Sequence, residues 1–119
     1  MTTSIIGYPR IGAHRELKFA TEKFFRQELS EADLQVVAAE QRKENWQKQV
    51  AAGIDFIASN DFSFYDTTLD TAFALNIIPK RYQNLAISPL EKYFAAARGH
   101  QSEVGDVKAL AMKKWFNTN

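Results

Sequence analysis

Residues 30–58, SEADLQVVAAEQRKENWQKQVAAGIDFIA, decide the fold. Ser30 followed by Asp33 resembles a capping box with Asp in place of Glu. Leu34, Val37, Ala38, Trp46 and Val50 then lie along one approximate helical stripe, and Gly53 supplies a stop. The pattern predicts one long helix between Ser30 and Gly53. Directly after it, Ile54-Asp55-Phe56-Ile57-Ala58 is a short β-branched and aromatic run that suits a strand. A helix that feeds a short strand is half of a βα repeat, which points to the α/β class.

The same alternation extends to both sides. Upstream, Ser4-Ile5-Ile6-Gly7-Tyr8 reads as a buried strand ending at Gly7 and Pro9. A basic loop follows, and Leu17, Phe19, Ala20, Phe24 and Phe25 recur near helical spacing, predicting an amphipathic helix from Leu17 to Leu29. Downstream, Asp66 can cap a helix through Leu69, Ala72, Phe73 and Leu75 that Pro79 terminates. Ser88-Pro89 opens another, through Leu90, Tyr93 and Phe94 to Gly99, with Pro at the first helical position. His100 to Asp106 reads as a loop, Val107 to about Lys113 as a short helix, and the chain stops at Asn119 without a cap or breaker. Two strand candidates among these helices cannot close a parallel sheet, whose strands need pairing and cover on both faces. The 119 residues are therefore expected to be the opening part of a larger βα structure.

Composition narrows the function classes. A hydrophobic share of 45%, with nine Phe, four Tyr and two Trp, belongs to a folding chain and not to a disordered one. Fifteen basic against fourteen acidic residues give no whole-protein reason to expect nucleic acid or an anionic membrane. The absence of cysteine excludes disulfides, thiolate metal sites and thiol nucleophiles within these residues. No stretch approaches the roughly 20 apolar residues of a membrane span, and no leader pattern opens the chain, so a cytoplasmic location is expected.

Several local patterns carry possible chemistry. Gly7 and Gly12 have the spacing of a phosphate loop, but Ala13 and His14 follow where that motif needs Lys and then Ser or Thr. His14 and His100 lack any partner at a metal-ligand spacing, so no metal site is expected in this chain. Asp66 and Asp70 can share a helix face as paired carboxylates, although Asp66 is better used as a cap. Arg10, His14, Arg15 and Lys18 concentrate positive charge just after a candidate strand, where α/β folds place ligand loops. Arg offers a carboxylate fork, Lys a point charge, and the free N–H groups of a helix start point the same way, so a ligand with several carboxylates fits. From spacing alone, a solvated helix start with Glu16 among its cations is the commoner arrangement. Lys113 and Lys114 likewise read as an anion contact or as the favourable cations of a helix end. In Ser59 to Asp66, the aromatics Phe62, Phe64 and Tyr65 suit a core, while Asn60, Asp61 and Ser63 make a dense polar set for a loop.

Taken in order, Gly7-Tyr8-Pro9-Arg10-Ile11-Gly12, Arg15-Glu16-Leu17-Lys18, Ser59 to Asp66, Ala97-Arg98-Gly99 and Lys114-Trp115-Phe116-Asn117-Thr118-Asn119 resemble the amino-terminal signature series of the cobalamin-independent methionine synthases. That resemblance covers Ser4 to Asn119 but only the opening part of the family's protein, which is several times longer and folds as two (β/α)8 barrels. It implies that residues 1–119 are the amino-terminal part of the first, folate-contacting barrel domain, a partial TIM barrel. It also implies transfer of a methyl group from 5-methyltetrahydropteroyl-tri-L-glutamate to L-homocysteine, giving L-methionine. Zinc would hold homocysteine in the second barrel, through His, Glu and two Cys outside this chain, with no cobalamin. The family's folate contacts match Arg15, Glu16, Leu17 and Lys18 as a segment, with Lys114 and Asn119 from the last motif. Arg15, Lys18 and Lys114 are the expected charge partners of the glutamate tail, and Asn119 a hydrogen-bonding neighbour. The chain departs from the family in length, since the aromatic and His residues that usually follow Asn119 are absent. Alone, it is expected to be inactive and prone to self-association through unpaired edges. The alternatives are a stand-alone helical interaction module using Phe24, Phe25 and Trp46, or a generic anion-binding domain whose affinity falls with salt.

Overall fold

A computed structural model describes residues 1–102 and 106–111. The chain divides into two compact units, Met1–Thr67 and Thr68–Asn119. Its helices are α1 (Glu16–Phe25), α2 (Glu31–Ala51), α3 (Thr67–Ala74), α4 (Lys80–Gln83) and α5 (Pro89–Arg98).

Helix ends follow local chemistry. Ser30 Oγ accepts the Asp33 N–H at 3.1 Å and starts α2 where the sequence places it. Gly53, at φ 81, ends that helix: its N–H bonds Val50 O while the Ile54 N–H reaches back to Gln49 O. The same paired closure stops α1 and α3 at two residues that the sequence reading passed over. Gln27 (φ 60) ends α1 after Phe25 and not at Leu29, and Asn76 (φ 56) ends α3 before Pro79 is reached. Ser88 and Glu91 form a reciprocal capping box on α5, with Pro89 in the first turn and Gly99 at φ 85 beyond its end.

In the first unit, α1 packs on α2 through Leu17, Ala20, Leu34 and Ala38, all buried. The stripe read from the sequence turns out to be rotated. Trp46 and Val50 are 37% and 65% exposed, and the buried line continues from Leu34 and Ala38 through Gln41, Asn45 and Gln49. Burial of amides is tolerable because they bond to one another and to the loop before α1, whereas Trp46 rests at the surface with its Nε1–H on Ala58 O at 3.1 Å. Gln49 Oε1 alone of this set is buried with no partner among the described residues.

The two expected strands are reduced to one parallel bridge, Ser4 to Phe56. Pairing is concentrated at Thr3, whose O accepts the N–H groups of Asp55 and Phe56 at 3.2 and 3.0 Å, and whose own N–H donates to Asp55 Oδ2 at 2.8 Å. Those bonds hold Asp55 below its usual carboxylate range, chiefly through the Thr3 backbone N–H and then its hydroxyl. Ile6 is fully exposed and Phe56 largely so, so the expected burial of the first strand is not met. A parallel strand needs cover on both faces to extend its ladder, and these apolar side chains have none among the described residues.

In the second unit, Tyr82, Tyr93, Phe94, Ala95 and Ala96 are buried, and Phe73, Tyr93 and Phe94 meet edge to face at 5.5 and 5.4 Å. The helix expected from Val107 is not formed over residues 107–111. Val107 O accepts the His100 N–H, and the Leu110 N–H bonds Ala96 O, so backbone groups that a helix would pair locally are bonded to α5 and its exit. Lys113 lies outside the described residues.

This packing predicts unequal costs along α2. Leu34→Ala should lower stability in urea unfolding by about 2–5 kcal/mol, while Val36→Ala and Val50→Ala should stay within about 0.5 kcal/mol. Equal losses at all three would contradict the rotated stripe.

Candidate functional site

The loop before α1 is held from two sides. On one side, Asp61 Oδ2 accepts the Tyr8 N–H at 3.0 Å. The Arg10 guanidinium donates to three successive carbonyls, Ser63 O at 3.0 Å, Phe64 O at 2.9 Å and Tyr65 O at 2.9 Å. Two signature stretches distant in sequence are thereby clasped, leaving an open cleft of about 880 Å³ lined by Gly7, Tyr8 and Pro9 against Ser59, Asn60 and Asp61. On the other side, Asn45 Nδ2 of α2 donates to Pro9 O at 3.3 Å. Arg10 therefore closes a backbone clasp, and the basic cluster read from the sequence loses this member as a ligand contact.

The turn into α1 is tight. The Arg15 N–H bonds Gly12 O at 3.2 Å and the Leu17 N–H bonds Ile11 O at 3.1 Å. Gly12 sits at φ 92, and a Cβ added there would stand 1.9 Å from Glu16 Oε2 and 2.7 Å from Gln41 Oε1. Arg15 adopts the left-handed region at φ 61, ψ 35, which costs a non-glycine residue roughly 1–2 kcal/mol. Its side chain is exposed and makes no hydrogen bond or ion pair among the described residues.

Glu16 answers the positive end of α1 with its own carboxylate. Oε2 accepts the His14 N–H at 3.0 Å. Its pKa lies below the ordinary 4.5, first because of the Glu16 backbone N–H, against desolvation as the next largest effect, and further because of the His14 N–H and the charges of His14 and Lys48. The expectation of free N–H groups aimed at a ligand is corrected for four donors here: those of His14 and Glu16 face the Glu16 carboxylate, and those of Arg15 and Leu17 bond Gly12 O and Ile11 O. Leu17 is 1% exposed, so its side chain is a core anchor. Lys18 is exposed and stands 3.8 Å from Glu22 one turn on. The structure thus brings Arg15, Glu16 and Lys18 together at one helix start. Lys114 and Asn119 lie outside the described residues.

Gln41, Asn45 and Asp61 were not singled out as site residues from the sequence. The first two were legible in principle, since 34, 38, 41 and 45 share a helical face; Asp61 stood out as part of a dense polar loop, but its bond to Tyr8 spans a long sequence separation and left no local signal. No described residues form a group of three His, Asp or Glu able to hold a metal, and no described helix is long and apolar enough to cross a membrane.

Two outcomes follow from this geometry. On acidification, the His14 amide resonance should titrate with a midpoint below 4.5, the contact being present above that range and lost as pH falls through it; Glu16→Gln should abolish the titration. Gly12→Ala should destabilise the protein by more than the roughly 1–2 kcal/mol of a left-handed backbone penalty, because Glu16 must also leave its place. A neutral Gly12→Ala in urea unfolding would contradict the tight turn.

A family model described as "Cobalamin-independent synthase, N-terminal domain" matches residues 2–119. Over all 119 residues, the chain is 61% identical to the 5-methyltetrahydropteroyltriglutamate–homocysteine methyltransferase of Lactococcus lactis subsp. cremoris (strain SK11). It is 59% identical to the enzyme of the same name from Streptococcus suis (strain 05ZYH33), and 56% to that from Streptococcus pneumoniae serotype 19F (strain G54). In each case the alignment takes in 100% of this chain and 16% of the relative's length. The clasped Gly7–Gly12 and Ser59–Asp66 stretches and the Arg15–Lys18 turn accordingly sit in a chain that belongs to the cobalamin-independent methionine synthase family, within its N-terminal domain.

Proposed function

We propose that the whole protein transfers the methyl group of 5-methyltetrahydropteroyl-tri-L-glutamate to L-homocysteine, giving L-methionine, and that this chain supplies part of the site for the triglutamate tail. The relatives' shared name supports the reaction. The observation that carries the local reading is Arg15, whose backbone is held in a costly conformation while its side chain stands exposed, three residues before the exposed Lys18. Backbone strain of this kind collects where a ligand is met. A tail of three glutamates presents a row of carboxylates, for which Arg offers a bidentate fork and Lys a compact charge. Glu16 and Leu17 serve the same segment indirectly, one closing the turn and the other anchoring it in the core. Lys114 and Asn119 complete the set by family resemblance.

In this reading, residues 1–119 are the amino-terminal part of the first barrel domain, with the Ser4–Phe56 bridge as the beginning of its parallel sheet. Exposed Ile6 and Phe56 form an apolar edge that further strands would cover, and the chain in isolation would self-associate there. We place the protein in the cytoplasm, with the folate donor and homocysteine as its partners. The residues present do not fit a zinc ion: the chain has no cysteine and its described residues hold no candidate ligand cluster. The zinc that would bind homocysteine is assigned to the rest of the protein. The purified 119-residue chain should give no detectable methionine in a methyl-transfer assay.

The tail assignment makes a selective prediction for the full-length protein. Arg15→Ala or Lys18→Ala should weaken the triglutamate donor three- to tenfold, as expected for loss of one charge-assisted contact from a solvated side chain. The monoglutamate donor should change by less than about twofold. Equal losses for both donors, or no loss for either, would contradict it.

A further inference from the structure

The polar face of α2 is expensive to bury. Gln41, Asn45 and Gln49 are 4%, 6% and 3% exposed. Apolar side chains at these positions would pack the helix without any amide to desolvate, so the amides are best explained by what they hold. Gln41 Nε2 donates to Asn45 Oδ1 at 3.0 Å, and Asn45 Nδ2 donates onward to Pro9 O at 3.3 Å. Gln41 Oε1 borders Gly12, in the space where a Cβ would stand 2.7 Å from it. The pair therefore supports both ends of the Pro9–Gly12 segment. Three residues later Arg15 turns into α1 at φ 61, its N–H on Gly12 O.

We infer that Gln41 and Asn45 are positioning residues for the tail site: by fixing Pro9 and Gly12 they hold Arg15 in its left-handed turn, with its guanidinium presented to the ligand beside Lys18. Neither amide touches the ligand. The inference rests on the tail reading above, and its consequence is that loss of the pair acts through Arg15 and not through the fold at large.

The test uses the full-length protein carrying Asn45→Leu, which keeps the branching of the native side chain without its amide, or Gln41→Met, which is near in volume to the native residue. Asn45→Leu should raise KM for the triglutamate donor about fivefold, the factor supported by one hydrogen bond between neutral groups. KM for homocysteine and kcat should stay within about twofold, and on an Arg15→Ala background the substitution should add nothing further. Trypsin should also cut after Arg15 about fivefold faster in the folded variant, read by mass spectrometry of the released peptide. Unchanged cleavage, or a KM loss that adds in full to that of Arg15→Ala, would overturn the proposal. If Arg15→Ala itself leaves triglutamate KM unchanged, the tail reading fails, and the cleavage rate alone decides the positioning role. Gln41→Met, which keeps the bond to Pro9, carries the same tests if Asn45→Leu does not fold.

Discussion

The Arg10 guanidinium donates to the carbonyls of Ser63, Phe64 and Tyr65, and the loops of the first unit depend on that contact. Carbonyls in an irregular loop have no ladder to pair them, and leaving them buried and unpaired is costly. A planar fork with several N–H donors can meet three in succession, which a lysine ammonium on a flexible stem does less well. With Tyr8 on Asp61 as the second closure, the segment after the lone parallel bridge is tied to the segment after its partner. The turn into α1 is then aimed by the bodies on either side of it, and its cations inherit that aim.

Helix α2 divides its work along its length. The Leu34 and Ala38 end makes an apolar contact with α1, as any amphipathic helix would. The Gln41, Asn45 and Gln49 end presents amides: Gln41 and Gln49 donate to the side chain and the carbonyl of Asn45, and Asn45 donates to the loop before α1 at Pro9 O. Apolar contact sets how closely the helices lie but leaves loop conformation open. The hydrogen bond to Pro9 and the space reserved at Gly12 specify it. Glu16 supplies the last constraint by turning its carboxylate onto the His14 N–H, so the helix start carries an internal anion.

What was legible in the sequence is what is decided within a turn or two. Ser30, Gly53, Ser88-Pro89 and Gly99 mark helix ends through their own backbone and side-chain chemistry, and each stands where it was read. Gln27 and Asn76 do the same work without the glycine that would have announced it. The buried line of α2 was misread because partners some 30 residues away make amides acceptable in a core. The strand signal at Ile5 and Ile6 was local, whereas a ladder depends on neighbours along both edges, and one bridge is what forms. At the site, the position of Arg15 and Lys18 at a helix start was legible. The retention of Arg10 by carbonyls and of the His14 N–H by Glu16 was not, because both depend on the folded loop.

In the proposed function, this clasped loop presents Arg15 and Lys18 to the glutamate tail of the folate donor. The most direct test is a structure of the full-length protein with the triglutamate donor bound. The expected result is tail carboxylates within about 4 Å of the Arg15 guanidinium and the Lys18 ammonium, with Arg15 still in the left-handed region. A tail lying elsewhere, with both cations in solvent, would contradict it.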